Sequence, residues 1–164
     1  MGQYHITINL DKREYIFPHK IGLGLKLMEQ CGFRGSTGDI LFLLLACSNG
    51  RGGGDCQTEH ENLIGRWAGD RIVVAGDYCK PDDVPGINIE EIHHNLCSDP
   101  KYLTPEGLAK MEKRGETLFK DISDELIPLI NEQFDCNLRA DGDGWRRRDD
   151  NPPLRPDMLL GFPK

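Results

Sequence analysis

The sequence predicts an α+β fold: a mostly antiparallel sheet built from two β-hairpins, one buried apolar helix and a helical C-terminal half. Three observations carry this. Tyr4, Ile6, Ile8 and Leu10 alternate with polar residues, the period of a strand. Ile40 to Ala46 is a short run of apolar residues preceded by helix-capping chemistry. Two apolar stretches flank Gly69-Asp70, a pattern that reads as a hairpin.

In chain order, Asp11-Lys12 makes the turn of the first hairpin, and Arg13 to Phe17 returns with Tyr15 opposite Ile8 and Phe17 opposite Ile6. Pro18 ends that strand. His19 to Gln30 offers Ile21, Leu25, Leu27 and Met28 to a short helix, weakened by Gly22 and Gly24 and stopped at Cys31-Gly32. Ser36 or Thr37 caps the next helix and Asp39 suits its first turn. That helix is apolar nearly all round, which predicts the central, buried one. Asn62 to Ala68 and Arg71 to Tyr78 form the second predicted hairpin, turning at Gly69-Asp70. Leu63, Trp67, Ile72 and Val74 then share one face, and Ile64, Arg66, Val73 and Ala75 the other. Lys80 to Gly86 reads as a loop and Ile87 to Leu96 as a short helix. Thr104-Pro105 starts a helix that runs through Leu108, Met111 and Leu118 to Phe119. Asp121 or Ser123 recaps a segment from Asp124 to Phe134 with Leu126, Ile127 and Ile130 inward. Residues 1–134 are read as a single domain, and residues 135–164 as an irregular tail pinned by Trp145 and Met158 to Leu160.

The net charge of −7 on 164 residues argues against a general nucleic-acid or anionic-membrane binder, either of which needs a basic surface. The longest apolar run, Ile40 to Cys47, is far too short to span a bilayer. The six cysteines contain no C-x-x-C pair, and no signal peptide is visible, which predicts reduced thiols and a cytoplasmic protein. Ile6 breaks the myristoylation pattern that Gly2 opens.

Four groups of residues are candidates for chemistry. Arg34-Gly35-Ser36-Thr37-Gly38 opens the apolar helix, where free N–H groups and the helix dipole favour an anion; a helix cap and a turn account for the same residues, and the Walker pattern is absent. The glycine-rich loop Asn49 to Asp55 is the second. The triplet AGD occurs twice, at Ala68-Gly69-Asp70 and Ala75-Gly76-Asp77; on the hairpin reading Asp70 lies at the turn and Asp77 at the open end, roughly 20 Å away, so the two copies cannot share a site. The open end would gather Arg51, Asp55, Glu59, His60, Glu61 and Asp77, able to orient a polar ligand or a divalent metal; a solvated hairpin end explains the same pattern. Cys56, His60, Cys79, His94 and Cys97 supply soft ligands in no standard zinc spacing, with His93-His94 read as a surface pair. Asp141-Gly142-Asp143-Gly144 fails as a calcium loop, because Arg146 and Pro152 stand where glycine and glutamate are required. No metal site and no cofactor is assigned.

The stretches MGQYHITINLDKREYI, GLGLKLME, NGRGGGD, IGRWAGDRIVVAGDY and DISDELI resemble a family of uncharacterised small proteins from bacteria and their phages. The resemblance implies a phage or mobile-element origin. It implies no activity, and therefore no functional residue.

Two functions from different classes fit these residues. One is a protein that binds a small anionic, nucleotide-like ligand, with hydrolase or transferase activity open to it; its ligand-binding residues would be Arg34, Ser36, Thr37, Arg51, Asp55, His60 and Asp77. The other is a non-enzymatic acidic interaction protein, such as a phage-encoded inhibitor of a host protein.

Overall fold

The computed structural model describes residues 3–32, 34–51, 56–97 and 119–139. The fold is α+β. Strands β1 (His5–Asn9), β2 (Glu14–Ile16), β3 (Ile72–Gly76) and β4 (Lys120–Asp121) form one sheet in the order β3-β1-β2-β4. Among the described residues three helices accompany it: α1 (Thr37–Leu45), α2 (Ile89–Cys97) and α3 (Ser123–Phe134). β1 pairs antiparallel with both β2 and β3, and β2 pairs parallel with β4, so the sheet is mixed.

The first hairpin has the predicted register, with Ile8 opposite Tyr15. Both faces of β1 are buried. Ile6, Ile8, Leu10, Tyr15 and Ala75 join Ile89 of α2 in one apolar cluster. On the other face Ile16 joins a larger cluster with Ile40 and Leu44 of α1, Leu63, Trp67, and Leu126, Leu129 and Ile130 of α3. Thr7 and Asn9, the polar members of the alternation, are 1% and 0% exposed on that second face. Asn9 is satisfied there: its Nδ2 donates to Asp70, and its Oδ1 accepts from the Asp11 and Lys12 N–H groups at the turn.

The second predicted hairpin is not formed. Residues 61–69 run in consecutive tight turns, with i→i+3 bonds such as Arg66 N–H to Leu63 C=O and Asp70 N–H to Trp67 C=O. The reason is the end of α1. Gly65 N–H donates to the Leu43 carbonyl, which also accepts from Ala46 N–H, and Trp67 N–H donates to the Leu44 carbonyl, so the last turn of α1 holds this segment. Leu63 and Trp67 still reach the core, from turns rather than from a strand. β3 instead pairs with β1, a partner more than sixty residues away in sequence.

The helix expected over residues 19–30 is replaced by two single 3₁₀ turns, Pro18–Ile21 and Leu27–Gln30. Gly22 adopts φ 71° between them and breaks the helical path. α1 is not buried all round. Ile40 and Leu44, one turn apart, face the core, while Phe42 on the opposite side is 77% exposed. Its N-cap is as expected: Ser36 Oγ accepts from Asp39 N–H. α2 and α3 match the expected helices near Ile87 to Leu96 and Asp124 to Phe134. β4 has no signal in the sequence, because two residues carry no period. Leu138 packs back on α3, its N–H and C=O bracketed by the Asn131 amide. The helix expected from Thr104 to Phe119 falls, except for Phe119, outside the described residues. So do Trp145, the acidic turn Asp141 to Gly144 and Met158 to Leu160.

Candidate functional site

The start of α1 is closed by its own side chains. Ser36 and Thr37 are buried, Ser36 Oγ takes the Asp39 N–H at 3.2 Å, and the Asp39 carboxylate takes the Gly35 N–H at 2.8 Å. The Asp39 carboxylate therefore already lies at this end of the helix, while the buried Thr37 Oγ1 has no partner among the described residues. A Cβ at Gly35 would lie 3.1 Å from Ile130 and 3.2 Å from Cys136, so this turn is packed against the end of α3. Arg34 is exposed.

Asn49 closes the glycine-rich loop. Its Oδ1 accepts from Cys56 N–H and its Nδ2 donates to Cys56 C=O. Arg51 is exposed on that loop, and Asp55 lies outside the described residues. His60 sits on the α3 side of the sheet: its N–H donates to Thr58 Oγ1, and the Thr58 hydroxyl donates to Glu132. That hydroxyl holds the Glu132 carboxyl below its ordinary range, with hydrogen bonds from the Glu59 backbone and Gln133 adding to it.

Asp77 has other neighbours. Its Oδ1 accepts from Tyr4 N–H and its own N–H donates to Tyr4 C=O, both at 3.0 Å. It lies past the end of β3, and its field reaches His93 and Cys97 of α2. The expected convergence of Asp77 with His60 relied on the second hairpin. Without that hairpin, His60 belongs with α3 and Asp77 with α2, on opposite sides of the sheet.

Of the soft-ligand residues, Cys97 Sγ lies 3.4 Å from His93 Nε2. Among the described residues no three His, Cys, Asp or Glu side chains are grouped to hold a metal ion. His93 is buried, not a surface residue as the sequence predicted; its Nε2 lies 3.2 Å from the Tyr4 carbonyl, so that nitrogen carries the hydrogen. Their spacing of four residues on α2 was the signal that the pair would meet. Burial raises the Cys97 thiol to about 11, the reverse of an activated nucleophile. Burial also lowers the pKa of His93, outweighing the opposing pull of the Tyr4 carbonyl and Asp77.

A pH dependence follows from that shift. A histidine with a depressed folded pKa contributes stability above its unfolded pKa of about 6.5, and the contribution is lost as pH falls below that value. The midpoint of urea unfolding is therefore expected to fall between pH ~7 and ~5, and His93→Gln, which keeps a side-chain N–H donor, should flatten that fall. An unchanged slope in the variant would assign the fall to other groups.

The most elaborate polar arrangement links β2, the 61–70 turns and α3. Arg66 forms a two-pronged pair with Glu14, at 3.1 Å through Nε and 2.5 Å through Nη2, and reaches Glu125 at 2.7 Å. The fully buried Trp67 donates its indole N–H to Glu14 Oε2 at 2.7 Å. Lys120 holds the other oxygen of Glu125, and Lys120 and Arg66 together keep that carboxyl below its ordinary range. Every charge in this group is matched, so it joins elements rather than awaiting a ligand.

A different feature is open. A cleft of about 320 Å³ follows β3, lined by His5, Val73, Val74, Gly76, Cys79 and Asp83, among others. Among the described residues β3 pairs only with β1, so it is an edge strand. Val74 is 42% exposed and Tyr78, just beyond the strand, 58%. A Cβ on Gly76 would lie 2.7 Å from Gln3 Oε1 and 3.0 Å from His5 Nε2; glycine lets both side chains close on the strand. His5 Nδ1 is buried beside the cleft with no partner among the described residues. Sequence reasoning identified the β-branched run Ile72-Val73-Val74 as a strand but could not show it as an edge. No described helix is long and apolar enough to cross a membrane. Comparison with protein-family models, with curated proteins and with solved structures found no significant match to this chain.

Proposed function

We propose that this protein is a non-enzymatic interaction protein that binds another polypeptide as an added strand along β3. The observation that carries the reading is the edge itself. Edge strands of soluble proteins are usually blunted by proline, lysine, a bulge or a covering segment. Ile72 to Gly76 contains neither charge nor proline, exposes Val74 and borders a cleft. Such an edge supplies main-chain hydrogen bonds to an extended partner, and the adjoining cleft receives its alternate side chains. The anionic-ligand reading has less support, because Asp39 already sets a negative charge at the α1 start and Arg66 is neutralised by Glu14 and Glu125.

A display library of unstructured peptides selected on the protein tests the reading. Selected peptides are expected to bind the native protein and to lose at least about tenfold in affinity for Val74→Pro, which removes an outward N–H at a site where an edge strand tolerates proline. Peptides that bind both forms equally would sink the proposal. So would a rise of several degrees in melting temperature with nucleotides or divalent metals, since a ligand that binds the folded state stabilises it.

A further inference from the structure

The hydrogen bonds at the two ends of β3 fix which of its residues face outward. Arg71 C=O accepts from Leu10 N–H at 2.9 Å, and Asp77 N–H donates to Tyr4 C=O at 3.0 Å. An antiparallel ladder alternates, so residues 71, 73, 75 and 77 direct their backbone groups toward β1, and Ile72, Val74 and Gly76 direct theirs away. These three are spaced evenly about Val74. Gly76 is buried beside Gln3 and His5 and its C=O accepts from Cys79 N–H, so pairing at Gly76 requires those two side chains to swing aside and uses the second lone pair of that carbonyl.

The charges flanking the strand are arranged about the same centre. Arg71 lies three residues before Val74 and Asp77 three residues after it. In an antiparallel pairing of β3 with itself, centred on Val74, each copy's Ile72 stands opposite Gly76 of the other, and each copy's Arg71 opposite Asp77. Arg71 and Asp77 lie one residue beyond each end of β3, where the extended ladder would form a non-hydrogen-bonded pair, and Asp77 would meet the second copy through Oδ2, its Oδ1 being held by Tyr4 N–H. The Arg71 side chain is 65% exposed and touches Asp11 at 2.7 Å, within reach of a second carboxylate. A slip of two residues in either direction loses both charge pairs, and parallel pairing in register sets Arg71 beside Arg71.

We propose that β3 pairs with the β3 of a second copy of this chain, antiparallel about a two-fold axis through Val74, joining the two sheets into one. The proposal rests on the reading of β3 as a strand acceptor and names the strand it accepts. A pair of five-residue strands buries less than the ~1,600 Å² of a standard interface, so the dimer is weak and self-association depends on concentration.

Light scattering after size exclusion, on the full chain from low micromolar to near-millimolar concentration, reads it. The mass is expected to rise toward that of a dimer. Arg71→Asp and Asp77→Arg should each weaken association about tenfold or more by setting like charges opposite, and the double variant should restore it. That rescue also excludes misfolding as the cause of the single losses. Under mild oxidation Val74→Cys should form an intermolecular disulfide at position 74, identified by peptide mapping to separate it from links through the exposed Cys31, Cys47 and Cys97, because hydrogen-bonded pairs place Cα atoms ~5.5 Å apart, within disulfide range. A monomer at every concentration overturns the proposal, as does a dimer indifferent to both charge reversals. A monomer that still binds strand peptides at β3 overturns the dimer alone; one that binds none overturns the strand-acceptor reading as well. A monomer whose amides at 72, 74 and 76 are protected from exchange shows another segment of the same chain on the edge, and also overturns it.

Discussion

Glu14→Ala is expected to cost about 3–5 kcal/mol of folding free energy, read by urea unfolding. Glu14 is 8% exposed and is the shared acceptor for the Arg66 guanidinium and the Trp67 indole N–H. Its removal leaves a partly buried cation and a buried donor without their partner. Most of the cost comes from those orphaned groups, not from the attraction that was lost. The distinguishing variants follow. Glu14→Gln keeps an oxygen that can accept from Trp67 and should cost less than alanine. Replacing Glu14 and Arg66 together by leucine and methionine removes both charges and should cost less than the sum of the single losses. If Glu14→Ala unfolds at the native urea concentration, the network does not stabilise the fold.

The second large effect is expected at Gly65. Its φ of 73° is unfavourable for any residue with a side chain, and an added Cβ would lie 2.5 Å from the Ala46 carbonyl oxygen. That oxygen is backbone at the end of α1 and cannot swing aside. Gly65→Ala should therefore cost about 2–4 kcal/mol, combining positive-φ strain with displacement of the segment that caps α1. Gly69→Ala is the control. Its φ is 84°, but an added Cβ meets nothing within 4 Å, so only the strain of about 1–2 kcal/mol applies. Equal losses in the two variants would show that the contact with Ala46 is unimportant.

Both predictions concern the segment where sequence and structure differ most. Residues 62–70 have the apolar pattern of a strand and a Gly-Asp pair suited to a hairpin turn. What decides otherwise is the demand of the α1 carbonyls for donors, met by Gly65 and Trp67. No local pattern encodes that demand, because helix and cap are separated by some twenty residues. The loss of the hairpin also dispersed the expected ligand-binding set. His60 went with α3 and Asp77 with Tyr4 and α2, while Ser36 was used for the helix cap that the sequence itself allowed as an explanation.

The sequence by itself determined the α+β class, the register of the first hairpin, a hydroxyl cap at Ser36 or Thr37 for α1, and the positions of α2 and α3. Each rests on contacts between residues close in the chain: alternation across a short turn, a hydroxyl three residues from the N–H it caps, apolar residues a helical turn apart. Tertiary structure alone decided that β3 lies at an edge of the sheet, that β1 is buried on both faces, that Glu14 meets Arg66 and Trp67, and that Phe42 of a helix apolar nearly all round faces solvent. Those outcomes depend on which distant surfaces meet, and packing selects among partners that local periodicity leaves equivalent.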